Sequence, residues 1–315
     1  MPEPFFGYHL PNYSYPGVSG EGIFDHIVRM AKAAEAQGFD MVTVMDHFYQ
    51  LPGLGAESEP MLESHTVLAG LSQQTERVYL SALVSGVTYR NPALLVKMVT
   101  TLDVLSRGRA ILGLGAAWNE SEHRGYGFEF PPIGRRMDRL EEAAQIAKLM
   151  FREDRPSFAG RFFHIDEALN SPRPIQPNGP RLLIGGSGEK RTLRIVARHA
   201  DICNLFPGLE TVRHKLEILR GYCEEEGRDP KEILKTVTSP VLLALDEAQA
   251  KRIRERVGSE RLGQAGGPLL PDQALEVLQQ YQDLGVGGFT FGNVNLDSEE
   301  MLAAAGELKR RLTVA

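Results

Sequence analysis

Asp46-His47 closes the apolar run Met41-Val42-Thr43-Val44-Met45, and among the strand ends read below it is the one pair able to transfer protons near neutral pH. A second reading stands beside it, in which Asp46 caps the loop and His47 packs underneath. A different chemistry is written at Leu182-Leu183-Ile184-Gly185-Gly186-Ser187-Gly188-Glu189-Lys190, where three apolar residues run into a glycine-rich turn and a helical pattern follows at once. Such a loop can bring bare backbone N–H groups to an anion, with the positive end of the helix dipole behind them. Ser187 suits the N-cap of that helix and could offer its hydroxyl to a phosphate. The plainer alternative is a tight strand-to-helix turn. Trp118, the only tryptophan, follows Gly115-Ala116-Ala117 and suits either the wall of a planar ligand site or a core anchor. Nearby, Glu120 and Glu122 read as solvated, His123 and Arg124 as within reach of an anionic tail, and Arg90 with Asn91-Pro92 as a loop fastener.

These residues need elements to hold them. Phe5 to Leu10, Met41 to Met45, Val78 to Val84, Ala110 to Gly113, Leu182 to Ile184, Asp201 to Phe206, Thr236 to Leu245 (with Pro240 interrupting it) and Phe289 to Phe291 read as short strands. Helical periods lie between them: Ile23 to Gln37, His65 to Gln74, Pro92 to Ser106, Arg135 to Phe151, the stretch after Gly188, a helix ending at Glu226, Glu247 to Val257, Asp272 (as its cap) to Asp283, and Glu299 to Leu312. Ser157 to His164 looks like a small hairpin, and Pro172, Pro174 and Pro177 mark an extended crossover. Eight apolar strands alternating with helices predict a (β/α)₈ TIM barrel, one domain over residues 1–315 with a small insertion at about 156–180. An open doubly wound sheet fits less well, since no dinucleotide fingerprint follows the first strand.

Composition narrows the partners. The chain has 315 residues, 42% hydrophobic and 24% charged, and a formal net charge of −6 with no long basic block, which speaks against nucleic acid and anionic membranes. Two cysteines, Cys203 and Cys223, argue against a disulfide framework or a zinc site. No apolar run approaches the roughly 20 residues that cross a bilayer, and no basic-then-apolar signal opens the chain, so a cytoplasmic protein is expected.

A barrel of this kind carries its site at the C-terminal strand ends. Those ends offer Asn12 and Tyr13, Asp46 and His47, Ser85 to Tyr89, Gly115 to Asn119, Gly185 to Gly188, Asn204 and Phe206, and Asn293: one imidazole, few carboxylates, many small groups. Paired glycosidase carboxylates, a metal-spaced cluster and a Gly-x-Ser-x-Gly elbow are all missing. A site poor in acids and bases but holding an anion loop suits a cofactor that brings its own chemistry.

Four stretches in order, Asp46-His47-Phe48, Thr88-Tyr89-Arg90-Asn91-Pro92-Ala93, Gly113-Leu114-Gly115-Ala116-Ala117-Trp118-Asn119-Glu120 and Gly185-Gly186-Ser187-Gly188-Glu189, together with the crossover Ser171-Pro172-Arg173-Pro174-Ile175-Gln176-Pro177, resemble the bacterial luciferase-like monooxygenase superfamily, in its branch of F420-dependent oxidoreductases. The resemblance implies a barrel that binds coenzyme F420, or FMN in other branches, at its C-terminal mouth, with His47 beside the ring. It implies a non-proline cis peptide within Ala82-Leu83-Val84, ahead of Ser85, forming a bulge that backs the ring. It also implies that Gly185, Gly186, Ser187 and Gly188 take the cofactor phosphate, near Gly115, Ala116, Ala117 and Trp118. Ala116 stands where the glucose-6-phosphate dehydrogenases of this family carry a catalytic Glu, which speaks against a sugar phosphate. Ala116 and Ala117 also offer no Arg of the kind luciferases use on flavin phosphate, which favours F420 over FMN.

The expected function is hydride transfer between reduced F420 and a small organic substrate. The alternatives are an FMN monooxygenase served by a separate reductase and a catalytically idle flavin-binding protein. Relatives imply a homodimer. Loops Pro11 to Gly20, Gln50 to Glu63 and Gly263 to Pro271 are expected to line the substrate pocket.

Overall fold

Runs of apolar residues too short for helices, each followed by a helical period, fold as parallel strands with helical crossovers. The computed structural model describes residues 3–256, 267–292 and 294–314. Besides β6 (Phe158–Ala159), β7 (His164–Ile165), β11 (Leu242–Leu243) and β12 (Pro268–Leu269), which form two small separate sheets, the strands are β1 (Phe5–Leu10), β2 (Met41–Val44), β3 (Tyr79–Ala82), β4 (Ser85–Gly86), β5 (Ile111–Gly115), β8 (Arg181–Gly185), β9 (Ile202–Leu205), β10 (Leu234–Thr238) and β13 (Gly288–Gly292). They form one parallel sheet in the order β3-β2-β1-β13-β10-β9-β8-β5-β4. β3 and β4 are two halves of one interrupted stave. β4 pairs with β5 at Ser85↔Leu114, while Leu80 bridges to Ala110 and its amide donates to the Arg109 carbonyl at 2.8 Å, so the two sheet ends meet. The molecule is a TIM barrel.

Side-chain alternation divides the core into two layers. Met41, Ile111, Leu183 and Ile202 point into the barrel with Phe5, Tyr79, Leu83, Val84 and Leu234 around them. Their neighbours along the strands, such as Val42, Leu112, Leu182 and Ile184, face outward onto Ile27 of α1 (Ile23–Ala36), Leu68 of α2 (Ser64–Ser72), Val96 of α3 (Pro92–Leu105), Leu140 of α5 (Ile133–Arg152) and Val196 of α6 (Thr192–His199). Each fully buried aliphatic of this kind contributes roughly 1.5–3 kcal/mol, which is why the apolar periods locate the staves so well.

Several elements differ from the sequence expectation. Pro240 ends the seventh stave at Thr238; Leu242–Leu243 leaves the barrel and pairs in parallel with Pro268–Leu269. The helix expected to be capped by Asp272 starts one residue earlier, at Pro271, whose fixed φ suits a first turn. The helix after the glycine loop, α6 (Thr192–His199), begins at Thr192 behind N-cap Arg191, so Ser187 is not its cap. The expected hairpin is present, with Phe158–Ala159 antiparallel to His164–Ile165. Asp103 then clamps the crossover by accepting from the Ile175 amide at 2.7 Å and the Gln176 side-chain amide at 2.7 Å. Val257 and the 263–266 part of the expected substrate loop lie outside the described residues.

Among the described residues one α-helix goes beyond the sequence expectation: α4 (Glu120–Tyr126), capped by Asn119, whose side chain accepts from the Ser121 amide at 3.2 Å, and ended by Gly127. Seven residues with little apolar periodicity leave no helical pattern to read.

Candidate active site

The exit of β2 carries Asp46 and His47 to the barrel mouth, and the two side chains part company there. Asp46, 3% exposed, receives both guanidinium nitrogens of Arg90, at 2.8 and 2.9 Å, the Ser64 hydroxyl at 2.7 Å and the Gly86 amide at 3.0 Å. Arg90 also reaches Glu63 at 2.6 Å, and Glu63 caps helix α2 (Ser64–Ser72) by accepting from the His65 and Thr66 amides. Asp46 therefore ties β2 to β4 and to α2. Arg90 is the loop fastener the sequence suggested.

His47 turns the other way. Its Nδ1 lies 2.8 Å from Oε2 of Glu122, a residue with no exposed surface. The same oxygen accepts from the Tyr89 hydroxyl at 2.9 Å, while Oε1 accepts from the amides of Phe48 and Tyr49 at 2.6 and 3.0 Å. Burial by itself raises the Glu122 carboxyl, but the hydrogen bond and charge of His47 and the two amides outweigh it and hold the group below the ordinary carboxylate range. The Tyr89 phenol is pushed well up by burial and by this carboxylate. Glu122 is thus not solvated, as its sequence context suggested. Helix α4, unread in the sequence, brings it 75 residues back along the chain to His47. Next to it His123 is fully buried, its ring held by the Thr88 hydroxyl at 2.7 Å and the Asn119 carbonyl at 2.6 Å, and it does not reach toward an anionic tail.

Trp118 is 59% exposed and stands edge-on to His47 with ring centres 5.5 Å apart, which overturns the core-anchor reading. Behind it Ala117 holds a left-handed backbone, φ 59°, unusual for a residue with a side chain. The Leu83–Val84 peptide is cis, inside the three-residue stretch the resemblance named. Val84 presses against two bare backbones: a Cβ at Gly115 or Gly185 would come within 2.5 or 2.9 Å of its methyls. After β8 the chain turns through Gly186, φ 121°, whose amide donates to the Asn204 carbonyl at 3.2 Å. Asn204 is braced in turn by Thr236 and Thr238, each at 2.9 Å.

These pieces line one cavity of about 530 Å³ at the C-terminal mouth. Asp46, His47, Leu83, Val84, Gly115, Ala116, Ala117, Trp118 and the whole Gly185–Gly188 loop face it, as do Asn204 and Phe206. Ala82 and Ser85 do not; both are sealed beneath the bulge, with the Ser85 hydroxyl on Nε2 of His65 at 3.1 Å. His9 is a second imidazole in the wall, 2.8 Å from the Thr43 hydroxyl. It was missed although it sits one residue before the end of β1, where the strand-end rule applies. Met137, Ile133 and Thr192 also line the cavity, from helices whose inward faces a strand-end search does not cover. Of the expected substrate loops, Gln50 to Glu63 contributes Leu51, and Pro11 to Gly20 contributes nothing to this lining. Asn293 lies outside the described residues.

The model of the family described as luciferase-like monooxygenase matches residues 5–315. The chain belongs to that family. Among curated members, the F420-dependent glucose-6-phosphate dehydrogenase of Kineococcus radiotolerans is 32% identical over 226 residues, 70% of this chain. The chain spans 64% of that relative's length. A protein of the same name from Intrasporangium calvum is 30% identical over 304 residues, 84% of this chain and 86% of the other. An F420-dependent secondary alcohol dehydrogenase in complex with an F420–acetone adduct superposes with TM-score 0.81, covering 98% of this chain and 99% of that one at 18% identity, which speaks for the family's fold.

Proposed function

We propose that this protein is an F420-dependent oxidoreductase that moves a hydride between the deazaflavin and a small uncharged organic substrate. The observation that carries the reading is the convergence in one cavity of a glycine loop, a wall of bare backbone and a single carboxylate-held imidazole, His47. The F420 dependence named for both curated relatives supports the same cofactor here. The residues present fit it. The cavity volume is of cofactor size, and Gly115 and Gly185 leave the Val84 bulge clear where a Cβ would collide with it.

When bound, the deazaflavin supplies two-electron hydride transfer at its ring carbon and little reactivity toward oxygen. The chain does the rest. Gly185 to Gly188 and the start of α6 would hold the phosphate through backbone N–H groups and the helix dipole, with the Gly186 amide itself donating to the Asn204 carbonyl. Leu83 and Val84 back the ring. Nε2 of His47 gives or takes the proton at the substrate oxygen, while Trp118 and Phe206 shield the mouth from water.

The substrate class follows from the lining. Position 116 is Ala, and among the described residues the cavity wall has no Lys or Arg to meet a substrate phosphate. Met45, Leu51, Ile133 and Met137 suit an apolar body instead. The test is titration of the purified protein with F420 and FMN side by side. Perturbed F420 fluorescence at micromolar coenzyme is expected; binding of FMN alone, with oxygen uptake dependent on reduced FMN, would replace this reading with a flavin monooxygenase.

A further inference from the structure

Glu122 does more than fill space beside His47. A buried carboxylate held ionised has no proton to give, so the hydrogen on the 2.8 Å contact belongs to Nδ1 of the imidazole. In neutral His47 the lone pair then sits on Nε2, the nitrogen left for the cavity. From this geometry we infer that Glu122 is a positioning residue that fixes the Nδ1–H tautomer of His47, making Nε2 the proton acceptor of the site. The carboxylate is itself held by four donors: the Phe48 and Tyr49 amides on Oε1, and the Tyr89 hydroxyl and His47 on Oε2. It cannot rotate without breaking two of them.

The other charged or titratable groups around His47 leave this assignment to Glu122. Asp46, next in sequence, is engaged by Arg90, Ser64 and the Gly86 amide. Tyr89 donates to Glu122, and Trp118 offers only a ring edge to His47. His9 opens on the same cavity from β1, with Nδ1 on Thr43.

The arrangement makes an isosteric substitution informative. In Glu122→Gln the side-chain oxygen must stay on the Phe48 and Tyr49 amides, because those are donors. The new NH₂ therefore faces His47 and Tyr89, and Nδ1 has to accept. The ring proton moves to Nε2, so the cavity nitrogen becomes a donor with the side chains scarcely moved.

The experiment is ¹⁵N correlation spectroscopy of the imidazole rings in the full chain at neutral pH, with His47 assigned by loss of its signals in His47→Asn. The expected result is a proton on Nδ1 of His47 in the wild type and on Nε2 in E122Q. Tyr89→Phe, which leaves the Glu122–His47 contact in place, should keep the wild-type tautomer. A wild-type proton on Nε2 overturns the inference without any variant, as does a folded E122Q with its proton still on Nδ1, or a switch in Tyr89→Phe. The role of Nε2 in turnover rests on the proposed function. There E122Q should lower kcat by roughly 10²–10⁴ with F420 affinity unchanged. The spectra need no coenzyme, so failure of the tautomer assignment and failure of the F420 reading are separate results.

Discussion

Arg90 closes on Asp46 as a fork, Nη1 to Oδ2 at 2.8 Å and Nη2 to Oδ1 at 2.9 Å, and its reach to Glu63 joins the exits of two neighbouring staves to the start of a helix. Both side chains are nearly sealed, at 11% and 1% exposed. Removing one partner leaves the other charge buried and uncompensated, which costs more than the pair contributes over an apolar substitute. Arg90→Met should therefore lower unfolding free energy by about 3–5 kcal/mol in urea titrations. Arg90→Lys should fall between, because an ammonium cannot reproduce the fork.

The glycine loop makes a separable prediction. Gly186 has φ 121°, and an alanine there would carry strain of order 1–3 kcal/mol. Gly186→Ala should weaken F420 binding by roughly tenfold or more in fluorescence titrations. Gly221→Ala, on an exposed helical position where a Cβ meets open space, should leave binding unchanged.

Acid stability has a named contributor. Glu63 is held at about 2, down from 4.5: burial raises it, but the Thr66 hydroxyl, the Thr66 and His65 amides and Arg90 outweigh burial. A carboxyl with a folded pKa below its unfolded value contributes stability that is full above the unfolded value and fades as pH falls toward the folded one. With its side chain 38% exposed, solvent screening reduces the contribution to about 1–2 kcal/mol. Glu63→Gln should be less stable than wild type above pH 4.5 and converge with it near pH 2 in pH-dependent unfolding.

Trp118 reports on the site directly. As the only tryptophan, exposed at the cavity mouth and 5.5 Å from His47, it dominates the indole emission. Saturation with F420 should quench that emission, and Trp118→Phe should abolish the signal while weakening the coenzyme by a few-fold. Emission unchanged by saturating coenzyme would remove Trp118 from the ring wall.

The staves, most helix bounds and the strand-end positions of His47, Gly115 to Trp118 and Gly185 to Gly188 were legible in the sequence. Apolar periodicity reports burial, and in a closed parallel barrel burial and strand order together place those ends at one mouth. His9 obeys the same rule, one residue before the end of β1.

What periodicity could not carry was the partner of each polar group. Asp46 and His47 read in the sequence as one proton-transferring pair, but consecutive residues leaving a strand point to opposite sides. One went to Arg90, 44 residues away, and the other to Glu122, 75 residues away. Charges on short, weakly patterned segments read as solvated until the fold shows which cavity they close. The sequence by itself determined the barrel and the end of it where the chemistry sits; only the tertiary structure decided which carboxylate holds the imidazole, because hydrogen bonds between distant segments depend on where the staves bring them, not on their spacing.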